Sequence, residues 1–317
     1  MPSVSASTTA IFVNRNSGQA SGQADALSRT LAADLARSRV NAEILTLSRD
    51  GPEASDWQRN LSLLLANGLD RVYVLGGDGT VLAVARVLLG QDIPIGIIPL
   101  GTANLLARDL GLPLQPEQAA DALLQDPTRA EIRYIDVGRV NGHPFLCASM
   151  LGMTTELAKA REAARGLGTW RMLPGMLRKG YWLLKRYPFR RVTLAFDDHQ
   201  LSVRTRAMVI SNNAILPKPG LFPARTSLNS GMLGIYGVEE GPLHDLPRIA
   251  LSLMAGTWAD EPGVFVRISN RVTVDTRKPR RTTVLNDGEP CRLRTPLHYD
   301  VLPEALPVLV PAGATRE

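Results

Sequence analysis

The sequence is poor in aromatic residues and nearly devoid of cysteine. Phe, Trp and Tyr make up 5% of its 317 residues, and the two cysteines are Cys147 and Cys291. Two distant cysteines exclude a disulfide framework and any CxxC metal or redox motif, leaving a reducing, cytoplasmic setting as the expectation. Long apolar runs are also missing. No stretch approaches the ~18 consecutive apolar residues of a membrane-spanning helix. Residues 1–7 lack both the basic and the apolar region of a signal peptide, and read as a short frayed leader. The four histidines (His143, His199, His244 and His298) show no metal-ligand spacing, which argues against a zinc hydrolase. No internal repeat is visible.

What is present describes an ordinary globular chain. Hydrophobic residues make up 44% and charged residues 21%, and 36 Lys and Arg stand against 30 Asp and Glu. At ~100–200 residues per domain, two domains are expected. The periodicity divides the chain accordingly. Between residues 8 and 135, short apolar runs at Ala10–Val13, Glu43–Leu47, Arg71–Leu75 and Ile95–Ile98 alternate with helical spacing at Ala24–Ser38, Trp57–Ala66, Val81–Leu89 and Ala103–Leu110. Such alternation predicts an α/β domain with a parallel sheet, Rossmann-like in class. From about residue 132 the runs are strand-like: Ile132–Val140, Phe145–Met150, Val192–Phe196, Leu201–Ile210, Val264–Ile268, Val272–Asp275 and Thr282–Leu285. Turn signals such as Asn141-Gly142 separate them, which predicts an antiparallel β-sandwich with a helical insertion over 154–187.

The chemistry concentrates in glycine-rich turns that follow strands. In Val72-Tyr73-Val74-Leu75-Gly76-Gly77-Asp78-Gly79-Thr80-Val81-Leu82 an apolar strand runs into three glycines, and a helix then begins. Glycine lets the backbone turn sharply and approach a ligand closely, and the helix N-terminus offers unpaired N–H groups that suit phosphate. Asp78 adds no attraction for phosphate, so it makes sense as a magnesium partner or proton acceptor. This is neither a Walker A loop nor a GxGxxG fingerprint, and a lone Gly-Asp-Gly is equally compatible with a tight structural turn. Two further turns shift the balance: Pro99-Leu100-Gly101-Thr102-Ala103-Asn104 and Asn14-Arg15-Asn16-Ser17-Gly18 each follow a strand of the same type. All three then lie along the carboxyl edge of one sheet, where open α/β folds bind ligands.

Together with Ala107-Arg108 and the late Asn286-Asp287-Gly288-Glu289, these segments resemble the diacylglycerol kinase catalytic-domain family, which includes bacterial soluble lipid kinases, sphingosine kinases and ceramide kinases. The resemblance implies a nucleotide-binding α/β domain at 8–135, to which residues 304–315 return, a β-sandwich substrate domain at 136–303, and an active site in the cleft between them. It implies that ATP is held by Asn14, Asn16, Ser17, Gly18, Gly76, Gly77, Asp78, Gly79, Thr80, Val81, Leu82, Gly101, Thr102 and Asn104, with Thr46 a weaker member. Asp287 and Glu289 become the catalytic acids, Glu289 taking the proton of the lipid hydroxyl, with Asp78 the alternative base or Mg²⁺ ligand. Two departures stand out. Leu105 replaces an aspartate common after the GTxN asparagine, so that any metal role must move, Asp136 being the nearest substitute. Ser230 stands where an aspartate for a structural Mg²⁺ is common, and a hydroxyl is a poor ligand for a hard cation.

Residues 155–191 hold ten Lys or Arg against Glu156 and Glu162, interleaved with Trp170, Tyr181, Trp182 and several Met and Leu. That mixture suits an anionic membrane surface, although a solvated basic helix has the same composition. Nucleic acid is not expected, because no recognition motif accompanies the patch. A second basic run, Arg277-Lys278-Pro279-Arg280-Arg281, precedes the late acidic motif. The sequence therefore predicts an ATP- and Mg²⁺-dependent lipid kinase that docks reversibly on the inner membrane surface. The alternatives are an NAD kinase, which shares Gly-Gly-Asp-Gly-Thr, and a nucleotide-binding regulator without catalysis.

Overall fold

The fold is taken from a computed structural model whose described residues are 8–14, 21–37, 40–47, 56–124, 130–152, 155, 190–219, 224–276 and 280–312. The helical insertion expected over 154–187, most of the basic segment 155–191, and residues Asn16, Ser17 and Gly18 lie outside them. The chain forms two compact units, Met1–Ile135 with Glu304–Glu317, and Asp136–Pro303.

The first unit is built on strands β1 (Thr8–Asn14), β2 (Asn41–Leu47), β3 (Leu69–Gly76) and β4 (Ile95–Pro99). All are parallel, in the order β2-β1-β3-β4, and the returning C-terminal segment adds Val308 and Leu309 in parallel beside Ile95 and Gly96. Helices α1 (Ser21–Arg37), α2 (Asp56–Ala66), α3 (Asp78–Leu88), α4 (Leu105–Asp109) and α5 (Pro116–Leu124) make the connections. Strands buried on both faces need continuous apolar runs, and Ala10–Val13, Val72–Leu75 and Ile95–Ile98 supply them. Phe12 meets the edge of Trp57 from α2 at 5.6 Å between ring centroids, while Leu31 and Leu35 bury one face of α1. Gly96 is required by close approach, since a Cβ there would lie 2.5 Å from the Tyr73 ring. The chain order reverses between β1 and β3, which makes their carboxyl ends the switch point of the sheet.

The second unit is rich in antiparallel strands: β5 (Ala130–Val140, entering from the first unit), β6 (His143–Phe145), β7 (Ala148–Gly152), β8 (Arg190–Ala195), β9 (Gln200–Asn212), β10 (Ile215–Leu216), β11 (Ala224–Arg225), β12 (Leu233–Glu239), β13 (Val264–Ser269), β14 (Arg271–Asp275), β15 (Arg281–Asn286), β16 (Glu289–Arg294) and β17 (Leu297–Pro311, which leaves for the first unit). The long β9 pairs with β8, β7 and β12, and β16 ends the path β16-β15-β7-β9-β8-β14-β17. One apolar cluster fills the unit, including Phe145, Leu194, Met208, Ile210, Val274, Val284 and Tyr299. The Tyr299 ring meets Phe145 edge-on at 6.2 Å, its hydroxyl shares a 3.2 Å hydrogen bond with Ser149, and burial pushes its pKa upward.

Several elements differ from the periodicity. A strand at Leu233–Glu239 and a helix α6 (Leu246–Ala255) occupy a stretch for which no element was expected. The helix expected from Ala103 starts at Leu105, because Asn104 is held left-handed at φ 48°. The single strand expected over Phe145–Met150 is interrupted at Leu146–Cys147, whose N–H groups leave the ladder for the carboxylate of Asp287.

Candidate active site

At the carboxyl edge of the parallel sheet, two glycine loops touch. Gly77 is extended at the start of α3 and provides no side-chain cap, so the first N–H groups of that helix are left open to a ligand. A Cβ on Gly101 would fall 2.7 Å from the Gly77 Cα, and one on Gly76 would fall 2.5 Å from the Thr80 Cβ. No other residue lets the two turns approach this closely. Asn104 closes the second loop from within. Its Oδ1 accepts the Gly101 N–H at 2.9 Å and its Nδ2 donates to the Gly101 carbonyl at 2.8 Å, which explains the left-handed backbone it tolerates.

The loops are then tied to one another and to β1. The Leu100 N–H donates to the Gly76 carbonyl at 3.0 Å, and the Leu106 N–H at the start of α4 donates to Asp78 Oδ1 at 3.1 Å. Across the switch point, Asn14 Nδ2 donates to Thr80 Oγ1 at 2.7 Å. The structure thus brings Asn14, Gly76, Gly77, Asp78, Gly79, Thr80, Gly101 and Asn104 into one constellation. Thr102 is exposed in the second loop, and Thr46 sits one strand further out, on β2 beside Val13. Val81 and Leu82 face the core at 2% and 0% exposure. Leu105 opens α4, half-buried.

The late acidic motif in the second unit is a two-residue hairpin turn. Asp287 and Gly288 have φ 49° and 88°, the conformation of a type I′ turn, which Asp-Gly favours. The Asp287 carboxylate accepts backbone N–H groups from Leu146 at 2.6 Å and from Cys147 and Ala148 at 2.8 Å. A carboxylate has about four acceptor positions, and three of these are committed to the β6–β7 bend. Asp287 therefore clamps the turn that leads into β16. Glu289 is half-buried at the first position of β16, opposite Asn286.

Sequence reasoning missed the residues that support this bend. Asn212 Nδ2 donates to the carbonyls of Asp136 and Leu146 at 2.7 and 3.0 Å, and an Arg225 Nη donates to the Leu146 carbonyl at 2.6 Å. The consecutive Asn212-Asn213 at the end of an apolar run was the available signal.

The two carboxylates considered for magnesium differ in their surroundings. Asp78 keeps Oδ2 clear of hydrogen-bond partners among the described residues, and Mg²⁺ commonly binds through one or two carboxylates together with phosphates and water. Asp78 therefore fits. Asp136 is fully buried, and its Oδ2 accepts from Asn213 Nδ2 at 2.6 Å and from the Gly231 N–H at 2.7 Å. The same Asn213 nitrogen donates to Ser230 Oγ at 2.8 Å. An amide donor thus links the two positions where a cation would need acceptors, and the metal role expected of Asp136 does not fit. Among the described residues no group of three or more His, Cys, Asp or Glu could hold a metal.

Comparison with known proteins agrees with this geometry. Residues 8–140 match the family described as "Diacylglycerol kinase catalytic domain". A protein of Mycobacterium tuberculosis named "Diacylglycerol kinase" is 45% identical over 91 residues, a match spanning 28% of this chain and 28% of that relative's own length. A "Probable lipid kinase YegS-like" protein of Pseudomonas aeruginosa is 28% identical over 83% of each chain. A crystal structure of a putative diacylglycerol kinase from Bacillus anthracis has the same fold, with a TM-score of 0.72 over 98% of both chains at 20% identity. Residues 8–140, which carry the paired glycine loops, are thus similar to the diacylglycerol kinase catalytic domain.

Proposed function

We propose that this protein is an ATP-dependent lipid kinase that transfers the γ-phosphate to a hydroxyl of a membrane lipid: a diacylglycerol, a phospholipid headgroup such as phosphatidylglycerol, or a sphingoid base. The observation that carries the reading is the join between the glycine loops, with Gly77 against Gly101 and Asn14 bonded to Thr80. It leaves uncapped N–H groups of α3 at the edge where an anionic ligand binds. Phosphoryl transfer asks the protein chiefly to position its reactants and to neutralise charge. Magnesium, when bound, supplies that neutralisation, and Asp78 is the residue that would hold it.

Glu289 is the general base of this reading. The Asp287 clamp fixes the turn, and the turn fixes where Glu289 begins β16. Transfer requires the nucleotide carried by residues of the first unit to meet the acceptor hydroxyl and Glu289 of the second. A second reading, a nucleotide-binding regulator, is favoured by Leu105 and by the commitment of the Asp136 and Asp287 carboxylates to hydrogen bonds.

The test is transfer of label from γ-labelled ATP to a panel of lipids in mixed micelles, with and without Mg²⁺, using Glu289→Ala as control and NAD as soluble acceptor. One labelled lipid, lost in the variant, supports the kinase. Label on NAD overturns it in favour of a dinucleotide kinase. ATP binding with no transfer to any acceptor selects the regulator.

A further inference from the structure

The hairpin that presents Glu289 carries a second feature on its other side. In its register Arg281 lies opposite Arg294, Thr283 opposite Arg292, and Leu285 opposite Pro290, and these six residues share one face. The opposite face holds Val284 and Leu293, which are buried in the core. Arg281, Arg292 and Arg294 are all exposed, as is Arg280 just before the strand. No acidic residue lies on this face. Elsewhere in the unit, Arg139, Arg204 and Arg248 are matched with Asp300, Glu240 and Glu261. The four hairpin arginines have no carboxylate partner among the described residues.

Like charges directly opposite on paired strands destabilise a sheet. An edge strand such as β16 is commonly protected by charge, but mixed or isolated charges serve that purpose without setting Arg281 against Arg294. A flat, one-signed guanidinium face is favourable when a surface of phosphates lies against it, because each planar fork can bind phosphate through two parallel hydrogen bonds. Single-stranded nucleic acid is disfavoured as the partner, since the face offers no aromatic platform for base stacking. Duplex readers usually insert a helix or ribbon into a groove, whereas this face belongs to a sheet backed by the core.

We propose that the outer face of the β15–β16 hairpin, with Arg280, Arg281, Arg292 and Arg294, docks on an anionic phospholipid bilayer. The inference rests on the lipid-kinase reading for its choice of membrane over other polyanions. Its consequence is that one rigid hairpin joins the bilayer contact to the base. Glu289 and Arg292 are three residues apart on β16, ~10 Å along the strand, on opposite faces. Docking by the arginines therefore sets the position of Glu289 relative to the headgroup layer.

The test is co-sedimentation of the full chain with vesicles of phosphatidylcholine alone or mixed with phosphatidylglycerol, at low and high salt. It compares the native protein, the triple variant Arg281→Gln/Arg292→Gln/Arg294→Gln, Arg292→Gln alone, and Arg267→Gln as an exposed arginine elsewhere on the unit. Native protein is expected to favour the anionic vesicles and to lose that preference in high salt. The triple variant is expected to bind on the order of 100-fold more weakly, by the contribution of each cation near such a surface, Arg292→Gln to be intermediate, and Arg267→Gln to match the native chain.

Thermal unfolding separates this from misfolding, because relief of the Arg281–Arg294 opposition leaves the melting temperature of the triple variant equal or higher. Native-like vesicle binding by the triple variant overturns the proposal. So does tighter binding of native protein to single-stranded RNA than to anionic vesicles, with loss in the same variant. Transfer to lipid in neutral mixed micelles, assayed alongside, reports on the kinase reading alone. Its absence together with arginine-dependent vesicle binding retains the docking face and rejects the kinase.

Discussion

The two units solve the problem of placing polar groups in opposite ways. In the first, the site is made of backbone: glycines at 76, 77 and 101 that a Cβ would push apart, held by the short amide bridges of Asn14 and Asn104. In the second, it is made of side chains, most of them already committed. Asp287 holds a bend, Asp136 holds the loop before β12, and Glu289, the proposed base, opens β16. A family match that covers residues 8–140 follows the same division. Backbone sites constrain contiguous residues tightly and leave a motif, whereas side-chain networks are dispersed over several strands.

The sharpest way to break this comparison is to neutralise the two acids of the hairpin turn separately. Glu289→Gln is expected to lower transfer by ~10²–10⁴, the range typical of a lost general base, with little change in melting temperature. Asp287→Asn is expected to lower activity and stability together, because three N–H groups lose a charged acceptor at ~1.5–3 kcal/mol each in isolation. Parallel activity and thermal-unfolding measurements decide the matter. Equal stability of the two variants would remove the distinction between positioning and catalysis.

In the first unit, the corresponding experiment adds a methyl group. Gly101→Ala places a Cβ 2.7 Å from the Gly77 Cα, a backbone atom that cannot swing aside. The expected cost is ~1–3 kcal/mol, as for other overpacked sites, with ATP affinity falling as the loops separate. Equilibrium nucleotide binding and urea denaturation measure the two parts. Gly142→Ala is a control, since open space surrounds that position and only its positive φ is strained.

Ser230→Asp tests the committed acids from the other direction. The native pair is bridged by the Asn213 amide, so the melting temperature is expected to be indifferent to Mg²⁺ or chelator apart from any effect of nucleotide. A second carboxylate beside the buried Asp136 is repulsive unless a cation lies between them. The variant is expected to melt several degrees lower in chelator and to recover with Mg²⁺. A native protein whose melting temperature already falls in chelator would show that the cation site survives without the aspartate.

How much of this was legible in the sequence follows from the same contrast. Alternating apolar runs gave the parallel sheet because strands buried on both faces are built mostly of apolar residues. Gly76 to Thr80 and Gly101 to Asn104 were legible because close backbone approach admits few residues. The roles of Asp287 and Asp136 were not. Their partners are backbone N–H groups at Leu146–Ala148 and Gly231, which no residue type announces and which long-range strand pairing brings near. The helix at Leu246–Ala255 was hidden for another reason. Pro247 stands in its first turn, and Leu251, Leu253 and Met254 are apolar yet exposed at 67%, 50% and 57%, so apolar residues alone do not mark its buried face.

The smallest expected effect offers a way to follow the two units separately. Each core contains a buried tyrosine, Tyr73 in the first and Tyr299 in the second, and burial raises both pKa values above the ordinary ~10. A raised folded-state pKa means that the protonated form is favoured in the fold. The associated stability is fully present below pH ~10 and is lost as pH rises, because the unfolded chain releases the proton first. Over that window each such group contributes a slope of up to ~1.4 kcal/mol per pH unit. Tyr299→Phe forfeits the hydrogen bond to Ser149 and is expected to be ~1 kcal/mol less stable at pH 8. Above pH 10 it is expected to lose stability less steeply than the native chain, and the two curves converge. Urea titrations between pH 8 and 11, read on each unfolding transition, check this. If the units unfold independently, Tyr299→Phe flattens one transition and Tyr73→Phe the other; if both variants flatten a single shared transition, the two cores unfold as one.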